Sequence, residues 1–212
     1  MNFKKLLTYF CGAMLICVSL TGCYSDRITE ETYAPVTAAT EETIAPAYQR
    51  GSINGKEYIN NSLKIKYTIK EGFSFMTAEQ LNERFNSGAD NSSKFVAAQK
   101  MEIYEMAAYA SSGENVILMV QTLGGSVNEQ EYCNKLKEQL SGTNLNPVYE
   151  GYKTRNVAGV DFTDLTYSYN QNGTEITQTM LIKSIEQEIV VINCTYTTSG
   201  GLEKVLSGFS AL

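Results

Sequence analysis

The stretch that decides the fold is residues 159–197, which read GVDFTDLTYSYNQNGTEITQTMLIKSIEQEIVVINCTYT. It holds three runs of β-branched and aromatic residues, and Asn172-Gly173 between the first two strongly favours a two-residue hairpin turn. Because tight turns join antiparallel strands, the stretch predicts an antiparallel meander. The predicted meander has three strands within this stretch, 159–169, 174–183 and 188–197, and one strand ahead of it, 148–153.

The strand predicted at 159–169 has an irregular apolar pattern. Val160 and Phe162 alternate with polar residues, but the alternation then restarts one position late at Leu165. A single extra residue in a strand produces such a shift, so we expect a β-bulge near Thr163 and Asp164.

Working outward, two further strands are expected at 101–110 and 115–123, joined by a hairpin at 111–114. The second is apolar on both faces, which is typical of an interior strand. Helices are predicted after Thr77, where Gln80 completes a capping box, after Ser126, running to about Leu140, and at the end of the chain through Phe209. The predicted class is α+β, with a mainly antiparallel sheet of about six to seven strands and about three helices.

The amino-terminal segment has the organisation of an export signal. Lys4 and Lys5 precede an apolar run of 15 residues, 6–20, which as a helix covers only about 22 Å of a ~30 Å hydrocarbon core. The run ends in Leu20-Thr21-Gly22-Cys23, which resembles the bacterial lipobox. The resemblance implies cleavage between Gly22 and Cys23, diacylglycerol on the Cys23 sulfur, and usually a further acyl chain such as palmitate on the new amine. The alternatives are an ordinary secretory signal with a chance cysteine, or a retained anchor.

The domain organisation predicted from this is a signal peptide at 1–22, a lipidated tether at 23–50 and a single globular domain at 51–212. The tether is rich in Thr, Ala and Glu and lacks apolar periodicity, so it would extend as a coil over about 30 Å. We therefore expect a protein held by lipid on Cys23 at the extracytoplasmic face of a cell membrane.

The charge balance excludes one class of partner. Without residues 1–22 the chain keeps 15 Lys and Arg against 23 Asp and Glu, a net charge of −8. Such a charge repels phosphate backbones, so no nucleic-acid partner is expected.

Catalytic and metal sites are not predicted. The chain has no histidine, which removes the commonest general base and the main zinc ligand. Cys11 and Cys17 would leave with the signal peptide and Cys23 would carry lipid, so Cys133 and Cys194 are the two cysteines with free thiols. They would form either a disulfide or two separate buried thiols. Asp161 and Asp164 could be a carboxylate pair or merely solvated strand residues. No cofactor is expected.

Tyrosine is the one residue type in excess, with 14 in the chain. Seven fall on predicted strands: Tyr104, Tyr109, Tyr149, Tyr152, Tyr167, Tyr169 and Tyr196. They would either form an exposed stacking or interaction surface or simply occupy half-buried strand positions.

Several separated motifs resemble lipoproteins of the clostridial type that have a PsbP-like domain. The matching residues are Tyr58, Asn60, Leu63, Ile65, Gly72, Phe73, Met106-Ala107, Val157-Ala158-Gly159 and Phe162. The resemblance implies an α/β/α sandwich over about 52–210 and a Gram-positive cell surface. The secreted Gram-positive members of that family are largely without assigned activity, so the resemblance implies no catalytic residue.

Three functions are consistent with these features. The first is a non-catalytic binding or accessory module that recruits an envelope protein or ligand. The second is a histidine-free envelope enzyme that uses carboxylate or tyrosine groups. The third is a ligand-capture lipoprotein that serves a transporter, for which about 160 folded residues is short.

Overall fold

The computed structural model describes residues 48–86, 102–122 and 128–212. The described strands are β1 (Ser52–Asn54), β2 (Glu57–Asn60), β3 (Ile65–Thr68), β4 (Phe73–Phe75), β5 (Glu102–Ala110), β6 (Asn115–Thr122), β7 (Val148–Val157), β8 (Val160–Gln171), β9 (Thr174–Ile185), β10 (Glu188–Tyr196) and β11 (Phe209–Ala211). The described helices are α1 (Ala78–Leu81), which continues into a π-helical turn at Asn82–Asn86, α2 (Glu129–Ser141) and α3 (Gly201–Leu206).

The strands form two antiparallel sheets. The large sheet has seven strands in the order β4-β5-β6-β10-β9-β8-β7, and the small sheet has four in the order β1-β2-β3-β11. The α+β class and the antiparallel sheet of seven strands confirm the prediction. Residues such as Ile53, Tyr58 and Ile65 predict one or two short strands in the region of the small sheet. The sequence patterns do not indicate that these strands form a separate sheet with β11, which is distant in the chain.

The large sheet is covered on both faces. One face, the small-sheet face, packs against the small sheet and α3 through a cluster that includes Tyr58, Leu118 and Val205. The opposite face, the helix face, is covered by α2, whose Leu136 and Leu140 are fully or almost fully buried. As predicted, β6 is buried on both faces along nearly its whole length.

Two tight hairpins shape the outer half of the large sheet. In the β8–β9 turn Asn172 and Gly173 have φ of 53° and 82°, the paired positive values that a type I′ turn requires. In the β7–β8 turn Ala158 and Gly159 have nearly the same values, 54° and 87°. The hairpin predicted at Asn172-Gly173 is therefore confirmed.

The bulge predicted near Thr163 and Asp164 is wrong. Strand β8 pairs with β9 without a register shift, and the irregularity lies in β7, between Tyr149 and Tyr152. The apolar pattern of β8 is interrupted because two polar residues, Asp164 and Thr166, have buried side chains on the small-sheet face.

The helix ends differ from prediction in part. The capping box of Thr77 and Gln80 is present, although α1 has only four residues. The N-cap of α2 is Asn128, while Ser126 lies outside the described residues. The terminal helix stops at Leu206.

Phe209 belongs to a strand and not to the terminal helix. It pairs with Tyr67 in β3, and the two rings pack edge to face at 4.7 Å. Gly208 permits the turn into this strand, since a Cβ there would collide with the Tyr67 ring.

The folded domain begins slightly earlier than predicted. Tyr48 is half-buried and packs against the core cluster of the small-sheet face, so it belongs to the domain although it was assigned to the tether. The predicted signal peptide and residues 23–47 lie outside the described residues.

Candidate functional site

Cys23 and Gly22, the residues of the predicted lipid attachment and cleavage, lie outside the described residues. Among the described helices, none is long and apolar enough to cross a bilayer.

Cys133 and Cys194 are both free thiols. Cys194 lies in the cluster on the small-sheet face of β10, whereas Cys133 lies on α2 in the cluster of the helix face. The disulfide interpretation is therefore corrected to two separate buried thiols, which the large sheet divides. Burial raises the pKa of Cys133 to about 12 and also raises the pKa of Cys194, so neither thiol is ionised at neutral pH and neither is an activated nucleophile.

Asp161 and Asp164 do not form a carboxylate pair. Asp161 is exposed and accepts a hydrogen bond from Asn156 Nδ2 at 2.6 Å. Asp164 points to the other face of β8, is fully buried, and accepts a hydrogen bond from Arg155 Nε at 2.7 Å. Its remaining oxygen accepts from Thr166 Oγ1 at 2.7 Å, so this carboxylate is engaged in holding β7 to β8.

The tyrosines occupy half-buried or buried strand positions. Tyr167 and Tyr169 are buried, and the other five are of intermediate exposure. Where Tyr152 reaches the surface of α2, its hydroxyl donates to Asn134 Oδ1 at 2.6 Å and Lys137 Nζ lies 3.8 Å from the ring centre. The arrangement fits the half-buried interpretation better than an open stacking surface.

A carboxylate held by two phenols lies between the two sheets. Glu105 is the extra residue of a bulge in β5, where the pairing with β6 shifts between Tyr104 and Met106. The bulge directs Glu105 toward the small sheet. There Glu105 accepts hydrogen bonds from Tyr58 at 2.6 Å and from the backbone N–H of Gly51 at 2.9 Å.

Two more side chains complete this cluster, which we call the Glu105 cluster: Tyr48, Gly51, Tyr58, Asn60 and Glu105. The Tyr48 hydroxyl donates to Glu105 at 3.3 Å, and Asn60 Nδ2 donates to the Tyr48 and Tyr58 hydroxyls at 2.6 and 3.0 Å. Gly51 has to be glycine because a Cβ would collide with the Tyr58 ring.

The electrostatics of the Glu105 cluster favour a structural role. Burial and the adjacent Glu105 carboxylate raise the pKa of Tyr58 and of Tyr48. Both phenols therefore stay protonated and act as hydrogen-bond donors, and neither is prepared to act as a base or nucleophile. The cluster joins the small sheet to the large sheet at the start of the domain.

A row of paired residues crosses the helix face of the large sheet near one end. Each member is directly opposite the next in the strand register, so all of them point to the same face. This polar row consists of Tyr109 in β5, Asn115 in β6, Thr195 in β10, Gln178 in β9, Tyr167 in β8 and Tyr149 in β7.

One half of the polar row is internally satisfied. The buried Tyr167 hydroxyl donates to Gln178 Oε1, and Gln178 Nε2 donates to Thr195 Oγ1 at 3.1 Å. These bonds connect β8, β9 and β10 through side chains.

The other half of the row contains Asn115 and lies beside Asn193, which is not itself a member of the row. Asn115 is 5% exposed and Asn193, two residues before Thr195 in β10, is 7% exposed. The Oδ1 atoms of both amides have no hydrogen-bond partner among the described residues. Leaving a buried acceptor unpaired costs about 1–3 kcal/mol for each atom, and these two atoms belong to neighbouring residues on one face of the sheet.

Sequence reasoning missed both the Glu105 cluster and the polar row. A signal next to the polar row was present, since Asn193, two residues before the row member Thr195, interrupts the otherwise apolar run Ile189–Ile192 and Cys194. Its cross-strand neighbours, Ile117 and Met180, are both apolar, and a polar residue in that setting calls for an explanation.

Three solved structures are similar to this chain in part. The solution structure of the cyanobacterial PsbP protein from Synechocystis has 8% identity and a TM-score of 0.46, with 82% of this chain and 98% of that chain covered. LpqN, described as involved in cell envelope biogenesis of Mycobacterium tuberculosis, has 11% identity and a TM-score of 0.41, with 69% and 82% covered. A protein from Bacteroides thetaiotaomicron has 12% identity and a TM-score of 0.41, with 76% and 49% covered.

A PsbP protein is thus among the similar structures, as the sequence resemblance predicts. At these TM-scores the likenesses carry no argument about activity or partner. No family model matches the sequence, and no curated protein matches it either.

Proposed function

We propose that this chain is an extracytoplasmic lipoprotein, anchored by lipid on Cys23, whose domain is a non-catalytic binding or accessory module. The observation that carries the proposal is the leader with its lipobox-like end, Leu20-Thr21-Gly22-Cys23. Two acyl chains or more give stable membrane attachment, whereas a single chain gives only marginal binding.

The state of the reactive groups supports a module that binds. The buried cysteine thiols and the phenols of the Glu105 cluster have raised pKa values, and Asp164 is engaged by Arg155. Among the described residues, no group of three or more potential ligands is placed to hold a metal ion. The polar groups of the described domain therefore suit recognition by hydrogen bonding.

The lipid anchor is tested by metabolic labelling with an alkyne-tagged fatty acid. Wild type is expected to incorporate the tag and to have a processed mass that begins at Cys23, whereas Cys23→Ala is expected to lose the label. Cys17→Ala is the matched control, because that cysteine lies in the leader and would leave with it. Equal labelling of Cys23→Ala and wild type, or a mature chain that begins at Met1, contradicts the anchor.

The binding role is tested by crosslinking on intact cells. Wild type is expected to give a reproducible crosslinked product that is lost or weakened in Cys23→Ala, because release from the membrane lowers the local concentration of the module. Substrate turnover by the purified chain, with no specific product on cells, would contradict this role and favour an enzyme.

A further inference from the structure

We infer that Asn115, Asn193 and Thr195 form a binding site for a neutral polyhydroxyl molecule on the helix face of the large sheet. The inference rests on the proposed function in that it locates the contact through which the module would bind. It is carried by two buried amide oxygens that have no partner among the described residues.

The strand register brings the three side chains together. Asn115 is directly opposite Thr195, and Asn193 is two residues from Thr195 on the same face. Diagonal neighbours such as Asn115 and Asn193 are about 7–8 Å apart. That separation is suited to two hydroxyl groups of one small molecule.

The hydrogen-bonding pattern indicates what the ligand has to supply. The amide oxygens of Asn115 and Asn193 are acceptors, so the ligand must bring O–H or N–H donors. Thr195 Oγ1 already accepts from Gln178 Nε2 at 3.1 Å, which leaves its own hydrogen as a donor. Two acceptors and one donor match a molecule with several hydroxyls, since each hydroxyl can donate and accept.

The charge of the surroundings favours a neutral ligand. No member of the polar row is a Lys, Arg, Asp or Glu residue. An anion would face two carbonyl oxygens, and a buried cation without a carboxylate would be costly. The aromatic ring of Tyr109, directly opposite Asn115 and half-buried, provides an apolar surface for the C–H groups of a sugar or polyol.

Binding is tested by saturation-transfer NMR on the detergent-solubilised full chain, with glucose and maltotriose as probes. Transfer to at least one probe is expected for wild type. Asn115→Leu and Asn193→Leu are expected to reduce it at least tenfold, because leucine has nearly the same size but offers no acceptor. Asn134→Leu removes an exposed amide on α2 and is the control that retains binding.

A stability measurement separates loss of a site from loss of folding. Since the two amide oxygens have no partner within the described parts of the chain, the urea midpoints of Asn115→Leu and Asn193→Leu are expected to equal or exceed that of wild type.

Three outcomes overturn the inference. The first is the absence of transfer to either probe in wild type, which is expected if only buried water fills the site. The second is retention of transfer in both leucine variants. The third is a urea midpoint below that of wild type in both leucine variants. None of these affects the fatty-acid labelling of Cys23, so failure of the site is distinguishable from failure of the anchor.

Discussion

Buried amides in this domain have very different surroundings. Asn60 is fully buried, donates to two phenol oxygens and accepts from the backbone N–H of Leu63 at 2.9 Å. Asn193 is almost as buried but lies between apolar neighbours, and its oxygen has no partner among the described residues. The same substitution should therefore have opposite effects at the two positions.

Asn60→Leu is expected to lower the free energy of unfolding by about 2–3 kcal/mol. It leaves the Leu63 N–H without its acceptor and removes the donor to the hydroxyl oxygens of Tyr48 and Tyr58, which still donate to Glu105. Urea denaturation of the full chain measures the change. An unchanged midpoint would show that water replaces the lost bonds and that the Glu105 cluster is not a stabilising element.

Tyr169 makes the domain sensitive to alkali. Its hydroxyl is buried and unpaired among the described residues, and burial raises its pKa from 10.0 to about 12. Below pH 10 both the folded and the unfolded chain keep the proton, so this group contributes no pH dependence there. Between about pH 10 and 12 the unfolded chain releases the proton and the folded chain keeps it, so stability falls as pH rises, by about 2–3 kcal/mol in total.

Tyr169→Phe is therefore expected to have the same free energy of unfolding as wild type at pH 7, or a slightly higher one. Above pH 10 it is expected to lose less stability than wild type. Denaturant midpoints at pH 7, 10 and 11.5 measure both effects. Cys133, whose pKa is raised to about 12, adds a further loss that begins near pH 9 and remains in this variant. If the stability of the variant falls above pH 10 as steeply as that of wild type, Tyr169 is not the source of the alkaline sensitivity.

At the scale of elements, the two hairpins of the large sheet invite a direct comparison. The β8–β9 turn has Asn172 at its first central position, and the β7–β8 turn has Ala158 there, both with φ near 54°. Positive φ strains alanine more than asparagine.

Ala158→Asn is expected to raise the free energy of unfolding by about 0.5–1 kcal/mol, and Asn172→Ala to lower it by a similar amount. Thermal and urea denaturation of both variants measure the pair. Effects of the same sign would contradict the view that the conformation of this residue controls turn stability.

The elements also show where sequence reasoning was effective. The Asn172-Gly173 hairpin and the Thr77 capping box depend on contacts between residues close in sequence, and the interior position of β6 follows from its own apolar residues on both faces. All three were predictable. Phe209 was assigned to a helix because its spacing from Val205 is helical, yet it pairs with Tyr67, more than a hundred residues earlier. Such distant pairing has no local pattern.

The candidate site was unpredictable for a related reason. Asn115 and Asn193 become neighbours only through the pairing of β6 with β10, and hairpin patterns do not indicate which distant strands pair. Glu105 likewise acquires its role from a bulge that no residue pattern of β5 indicated. The separate environments of Cys133 and Cys194 also depend on which face of the sheet each one meets.

At the scale of the whole molecule, the Glu105 cluster connects the two sheets. Glu105→Ala removes the shared acceptor of Tyr48, Tyr58 and Gly51 and is expected to cost about 3 kcal/mol, since buried donors lose a charged partner. Glu105→Gln keeps the shape and one acceptor and should cost less.

Hydrogen exchange gives the more specific measurement for Glu105→Ala. Exchange is expected to accelerate in β2 and β3 while β9, an interior strand of the large sheet, is little affected. Uniform acceleration throughout both sheets would show that they unfold as a single unit and that the cluster is not a separate connection.

The position of the Glu105 cluster also determines how the domain would bear a mechanical load. A pull on the chain ahead of Tyr48 reaches the Tyr48 and Gly51 contacts with Glu105 before it reaches β1, a strand of three residues at the edge of the small sheet. Those contacts transfer the force directly to β5, which is paired on both sides within the large sheet. If the chain is held from its amino terminus as proposed, the short edge strand is thereby shielded from being peeled away.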